Sequence, residues 1–377
     1  MIDTAPVRAF LDERHLTLAQ RVSDFAARTL APLPEPSDDA AARHQARDHV
    51  RMLGTAGWFK AIEAQDWRAC CLIREALAAA SPLADAVFAL QALGTVPILL
   101  SKNDAQRRWL DAALAGEAVA SFAMTEPEAG SDVAAMGMRA ERDGDHYVLS
   151  GTKTFISNAG IADFYTVFAT TDPARKDKGI GCFVVAADTP GLRFVRPLVL
   201  SAPHPLGEIT FAKARVPAAA RLDAEGEGFK LGLGTLDRLR PTVGAAACGM
   251  AARALHEAIA HAKSRKQFGN RLADFQLIQD KIARMATDLA AARLLVYRAA
   301  WEKDQGAARV TLEAAMAKSF ATEAAQRIID DAVQILGGRG VLAEHPVDRL
   351  YRSIRALRIY EGTTEIQHLI IAGQLLK

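Results

Sequence analysis

Apolar and polar positions change rhythm twice along the chain. Over residues 7–30, Phe10, Leu11, Val22, Phe25 and Leu30 stand among charges at spacings that predict an amphipathic helix. The run Ala31-Pro-Leu-Pro-Glu-Pro-Ser-Asp-Asp39 is rich in chain breakers and reads as a loop. Helical patterning resumes over 40–116, with interruptions near Gly54, Gly57, Pro82 and Pro97. From 119 to 225 the texture becomes β-rich, with short runs at 146–149, 164–168, 182–185, 192–195 and 208–211. Arg142-Asp-Gly-Asp145 is a hairpin-turn signal between two of the strands. After Gly228 the helical period returns. Val243, Ala247, Met250, Ala254, Ala258 and Ala262 mark one helix over 243–263. Phe275, Ile278, Ile282, Met285, Leu289, Ala292, Val296 and Ala299 form the seam of a second, and Leu312, Met316, Phe320, Ile328 and Ile335 mark a third. Long helices joined by short turns read as a bundle. The expected fold is mainly α with a central β-domain. It comprises an N-terminal helical domain (1–118), a small β-domain (119–227) and a C-terminal helical bundle (228–377).

Composition narrows the function. The chain has 377 residues, enough for two or three domains, and half are hydrophobic. Its 46 basic and 44 acidic residues leave a net charge of +2, against the clear basic excess of a nucleic-acid binder. Cys70, Cys71, Cys182 and Cys248 form no CxxC pair, and reduced thiols are expected. The first 30 residues carry Asp3, Asp12 and Glu13 and no signal-like apolar run, and no segment reads as a membrane span. The expectation is a cytoplasmic protein.

Some motifs mislead. Gly338-Arg-Gly-Val-Leu-Ala343 fits the dinucleotide-binding fingerprint, but it follows a helical segment instead of a strand, so a helix C-terminus is the better reading. The nine histidines show no metal-ligand spacing. Phe122-Ala-Met-Thr-Glu-Pro-Glu-Ala-Gly-Ser-Asp132 joins the first helical region to the β-domain. It reads as an ordinary polar connector or as a loop that meets a cofactor edge. Gly151-Thr-Lys-Thr-Phe-Ile-Ser-Asn158 sets an aromatic beside hydroxyl and amide groups at a strand end. Near the C-terminus, Glu361 precedes a glycine and a helix start. It reads as a solvated acid favoured by the helix dipole, or as a chemical group. Thr364 and Gln367 fit a capping box, so that helix does not need Glu361 as its cap.

Seven separated stretches share one register. They are Met124-Thr-Glu-Pro-Glu-Ala-Gly-Ser-Asp132, Lys153-Thr-Phe-Ile-Ser-Asn158, Leu236-Asp-Arg-Leu-Arg-Pro241, Ser264-Arg-Lys-Gln-Phe-Gly269, Val333-Gln-Ile-Leu-Gly-Gly-Arg-Gly340, His345-Pro-Val-Asp-Arg349 and Ile359-Tyr-Glu-Gly-Thr363. With them the chain resembles the acyl-CoA dehydrogenase family over nearly its whole length. The resemblance implies a four-helix bundle at the C-terminus, bound FAD and an acyl-CoA substrate. It also implies a homotetramer built as a dimer of dimers, with an electron-transfer flavoprotein as electron acceptor. Carried over, Phe122, Met124, Thr125 and Ser131 face flavin or thioester, and Phe155 and Ser157 line the other side of the ring. Arg265, Gln267, Phe268, Gln334 and Gly338 match contacts to a neighbouring subunit's FAD, and a guanidinium at 265 suits a pyrophosphate. Thr363 and Glu365 match the segment that closes over the cofactor. Ser131, Asp237, Arg240 and Tyr360 match the substrate side.

The resemblance further implies that Glu361 removes the α-proton while its backbone N–H helps hold the thioester carbonyl. The β-hydrogen then leaves as hydride, giving a trans-2-enoyl thioester. The family's other position for the base is Leu239 here, which cannot accept a proton.

The chain departs from the pattern at three places. A loop containing Glu-Tyr-Gly-Gly is missing after Gly57-Trp-Phe-Lys60. Leu200-Ser-Ala-Pro-His-Pro-Leu-Gly207 replaces Lys-x-Gly-x-Arg near the CoA end. Leu239 is bulkier than usual, which predicts a narrowed or reshaped acyl cavity. The changed CoA segment keeps a different reaction or carrier in view: an oxidase, a desulfinase or a dehydrogenase of carrier-protein thioesters. A flavin-free scaffold is the non-enzymatic alternative.

Overall fold

The computed structural model describes residues 2–101 and 103–377. The stretch expected as one helix over 7–30 is three pieces. A 3-10 turn (Ala5–Phe10) comes first, then α1 (Glu13–Phe25), then a π-helical turn (Ala26–Leu30). The break falls at Asp12, whose N–H donates to His15 Nδ1 (3.1 Å) instead of continuing a ladder. Next come α2 (Asp39–Thr55), the single turn α3 (Lys60–Glu63), α4 (Trp67–Ala80), α5 (Pro82–Ser101) and α6 (Arg107–Ala115).

Pro82 opens α5, where a missing N–H does no harm. Pro97 lies inside α5 and does not end it. Burial of Val87, Phe88, Leu93, Val96 and Ile98 around it outweighs the roughly 3 kcal/mol that proline costs a helix. By length and composition α5 could cross a membrane, which corrects the expectation that no segment could. In the protein, 83% of its most apolar window is buried.

Strands follow: β1 (Ala120–Ala123), β2 (Arg139–Asp143), β3 (His146–Ser157), β4 (Phe164–Thr170), β5 (Ile180–Ala186), β6 (Leu192–Pro197) and β7 (Leu206–Pro217). They make one sheet in the order β1-β4-β2-β3-β7-β6, with β5 also paired to β4. The predicted hairpin is present. Asp143 pairs with His146, and Gly144 supplies the left-handed turn (φ +63°). All seven residues of β4 are buried, as an apolar run in a covered strand should be. The remaining elements are α7 (Gly228–Ser264), the two-strand hairpin β8 (Lys266–Gln267) and β9 (Asn270–Arg271), α8 (Gln276–Asp304), α9 (Thr311–Leu336), α10 (Pro346–Leu357) and α11 (Thr364–Leu375). The false dinucleotide motif lies on a 3-10 turn (Gly337–Val341) directly after α9.

The sequence changes texture at 118 and 227, whereas packing divides the chain into two units. The first holds the chain up to Pro34, Asp66–Asp85 and Asp237–Lys377. The second holds Glu35–Gln65 and Ala86–Leu236, which include the sheet.

In the first unit, helices touch through small residues. A Cβ at Gly249 would lie 2.1 Å from the Glu75 carbonyl oxygen, so α4 and α7 approach as only glycine allows. Glu75 itself accepts from Arg293 Nε and Tyr297 Oη, both at 2.8 Å. The buried face of the first half of α9 is Ala314, Ala317, Lys318 and Ala321, while Leu312, Met316 and Phe320 of the expected seam are only partly covered. Two carboxyls grouped with buried His15 anchor the start of α4. Asp66 caps it, and Asp304 accepts from the N–H groups of Trp67 and Arg68. All four cysteines are free and buried.

Candidate active site

The first unit gathers its chemistry at the turn between α10 and α11. Glu361 has a left-handed backbone (φ +55°) and Gly362 follows at φ +90°. A non-glycine residue held there costs of order 1–3 kcal/mol and marks functional positions more often than random ones. Phe155 and Phe268, two other candidate residues, share this conformation.

The helix cap is Thr363, whose Oγ1 accepts from the Ile366 N–H (3.3 Å), and not Thr364 as the capping-box spacing suggested. Thr364 is already helical, and its hydroxyl donates to Glu323 (2.7 Å). Gln367 does not return to a cap N–H. It donates to the carbonyls of Glu361 (3.2 Å) and Gly362 (2.9 Å), which fixes the turn. Lys318 on α9 donates to the same Gly362 carbonyl (2.8 Å).

Glu361 therefore has no capping duty, and its Oε2 is buried without a hydrogen-bond partner among the described residues. Gln367 Oε1 and Arg240 Nε, both buried at or near this turn, also lack partners. Buried polar atoms are normally satisfied, so partnerless atoms gathered near one turn point to a group they meet when bound. Burial holds the Glu361 carboxyl above its ordinary range. Arg74, Lys318 and Arg240 pull it back, and Asp85 adds to the rise. Burial also pushes Lys318 down to about 8, against the pull of Glu361. Arg240 pairs with Asp237, which also accepts from Thr311 (2.7 Å). Leu239 is buried in the same helix, offering no acid at the alternative position.

In the second unit, β1 and the connector after it run beside the last half of β3. Ser121 Oγ donates to the Ser157 carbonyl (2.6 Å), and the Thr154 N–H donates to the Thr125 carbonyl (3.0 Å). Buried Lys153 ties Met124 O (2.9 Å) to Glu126 (2.7 Å), and burial lowers it to about 8 despite Glu126. Phe122, Met124, Thr125, Phe155 and Ser157 are thus brought together. Met124 offers its backbone alone, because its methyl is packed where a Gly232 Cβ would be 2.6 Å away. Register shifts in β3 re-aim Phe155, which is 62% exposed. Ser131 lies apart, exposed on the connector. The altered 200–207 segment adds something the sequence did not signal. His204 Nε2 lies 2.8 Å from Ser157 Oγ, and burial, with Arg43, pushes that imidazole down to about 4.

Arg265, Gln267, Phe268, Gln334 and Gly338 are exposed in the first unit, with Phe268 92% exposed on the β8–β9 hairpin. Arg339 and Arg265 both depress nearby His261, after its burial, so two guanidinium groups share this surface. Neither Arg339 nor Lys318 was legible as a site residue. Arg339 stands inside the glycine run 337–340, and Lys318 is one polar position on a helical pattern. Glu365 is exposed on the first turn of α11, and Tyr360 is partly exposed.

Known proteins match this chain over nearly its whole length. A family profile described as acyl-CoA dehydrogenase, middle domain, covers residues 121–214, and one described as acyl-CoA dehydrogenase, C-terminal domain, covers 226–376. A probable acyl-CoA dehydrogenase of Mycobacterium tuberculosis is 37% identical, over 97% of this chain and 96% of that protein. A 3-(aryl)acrylate reductase of Clostridium sporogenes is also 37% identical, over 98% and 100%. The structure of butyryl-CoA dehydrogenase from Megasphaera elsdenii superposes with a TM-score of 0.91 at 34% identity, over 97% of this chain and 99% of that one.

Proposed function

The chain belongs to the acyl-CoA dehydrogenase family, and from that premise we propose that it removes the α- and β-hydrogens of an acyl-CoA thioester with Glu361 as the general base. The observation that carries this reading is the buried, partnerless Oε2 of Glu361 on a left-handed backbone. Burial favours the neutral acid, so the carboxylate gains by taking a proton. The α-proton goes to Glu361, the β-hydrogen leaves with two electrons, and the product is the trans-2-enoyl thioester. Lys318 and Gln367 clamp the Gly362 carbonyl, which holds the turn while Glu361 works. The backbone N–H of Glu361 would donate to the thioester carbonyl.

The residues present fit FAD. Phe122, Thr125, Phe155 and Ser157 offer rings, a hydroxyl and backbone to a flavin edge, and Arg265 and Arg339 suit a pyrophosphate. FAD, when bound, supplies the acceptor for the two electrons, and an electron-transfer flavoprotein would then take them. A second copy of the chain fits the exposed surface. Phe268 protrudes, Leu277 is 81% exposed, and Phe275, Ile278 and Ile282 of the α8 seam are only partly covered. We read this as the face used in a homotetramer.

Anaerobic titration of the purified, FAD-loaded protein with a panel of acyl-CoAs tests the proposal. Loss of the oxidised flavin absorbance with at least one member is expected. No loss with any of them would overturn it. The reductase name of one relative adds the reverse assay, in which enoyl-CoA reoxidises the reduced protein.

A further inference from the structure

Arg74 and Asp85 are among the most deeply buried charges of the first unit, both act on the Glu361 carboxyl, and the proton transfer itself does not use them. Arg74 on α4 is among the largest fully buried side chains. Its Nε and Nη2 donate to the two carboxylate oxygens of Asp85, in the first turn of α5, at 2.7 and 2.9 Å. Its Nη1 donates to Thr242 Oγ1 on α7 (2.9 Å), and Thr242 donates to the Leu239 carbonyl (2.7 Å). The same guanidinium acts on the Tyr360 phenol and the Glu361 carboxyl, favouring the ionised form of each. A buried ion pair is often no more stabilising than apolar residues of the same shape, so a pair kept beside the base calls for another reason.

We propose that Arg74, held by Asp85 and Thr242, is a positioning residue for Glu361: it braces the Tyr360–Glu361 turn and sets the field in which the carboxyl takes up its proton. The charges acting on Glu361 come from four helices: Arg74 from α4, Asp85 from α5, Arg240 from α7 and Lys318 from α9, with Tyr360 beside it in the turn. Of these, Arg74 is the strongest opposing burial, and Asp85 acts in the opposite sense and more weakly. Removing Asp85 alone should therefore make Glu361 more acidic, and removing both partners should make it less so.

This inference rests on Glu361 being the base. The test uses the FAD-loaded protein and two variants, Asp85→Asn and the double variant Arg74→Met with Asp85→Leu. The rate of flavin bleaching by a reactive acyl-CoA is followed against pH, and the Glu361 carboxyl band is titrated by infrared difference spectroscopy without substrate. In both readouts D85N should move the acid limb down and the double variant should move it up. Each shift should be roughly one pH unit, the lower end of what a neighbouring charge does to a carboxyl. Limbs that stay put, or move the same way in both variants, overturn the proposal while leaving the base assignment intact. A wild-type protein that no acyl-CoA bleaches overturns the base assignment instead. D85N keeps an acceptor toward Arg74, and its downward shift alone decides the question if the double variant does not fold.

Discussion

Replacing Lys318 with methionine should make the protein more stable and its base less effective at neutral pH. Lys318 is fully buried and is held down to about 8 from 10.5, burial being the main cause. At roughly 1.4 kcal/mol per pH unit, that fall is a penalty of about 3 kcal/mol on the charged form in the folded state. Methionine removes the penalty and forfeits one hydrogen bond, worth about 1 kcal/mol. The Gly362 carbonyl is not orphaned, because Gln367 still donates to it (2.9 Å). The net gain at pH 7 is then about 2 kcal/mol. The sign follows from the folded value lying below the unfolded one. Between about 8 and 10.5 the unfolded chain binds the extra proton, so wild-type stability rises with pH through that window. The advantage of K318M should be full below about 8 and gone by 10.5. Urea unfolding of both FAD-loaded proteins, at one protein concentration, measures this at pH 7 and near pH 10. A variant less stable than wild type at pH 7, or a gap that ignores pH, would refute the reasoning. The same substitution removes a cation that lowers the Glu361 carboxyl, so the acid limb of flavin bleaching should move up.

Arg265→Ala should weaken FAD retention about tenfold or more through loss of a charge-assisted contact, measured by flavin release on ultrafiltration. Retention equal to wild type would count against a pyrophosphate at that surface. Gly249→Ala should lower stability by about 3 kcal/mol or more, because its Cβ meets the Glu75 carbonyl at 2.1 Å and a helix must move. An unchanged melting temperature would contradict that packing. Buried Leu239 predicts faster turnover of short or branched acyl-CoAs than of long ones, and a steady-state panel with the opposite order would refute a narrowed cavity.

The helices and the sheet were legible wherever one period ran unbroken. Val243, Ala247, Met250, Ala254, Ala258 and Ala262 are all buried, and the Asp143–His146 hairpin closes as its turn residues require. Pro97 misled because packing around α5 overrides a local propensity. Polar spacing alone points to Thr364 as the cap, because residue types do not show the non-helical backbone that makes Thr363 the cap. Glu361 could be singled out because family motifs surround it and a neighbouring threonine relieves it of capping. Its partners could not. Arg74 and Asp85 come from the consecutive helices α4 and α5 and Lys318 from distant α9, and each reads alone as one polar residue in a helical pattern. Their meeting is a property of packing. His204 was equally silent, since its link to Ser157 joins the altered segment to the far end of β3.

Glu361→Gln tests the central claim most directly. The amide keeps the size of the side chain and loses the proton acceptor. In the FAD-loaded variant, anaerobic bleaching by an acyl-CoA that reduces the wild type should be slower by about a hundredfold or more, with FAD still bound. Bleaching at the wild-type rate would contradict Glu361 as the base.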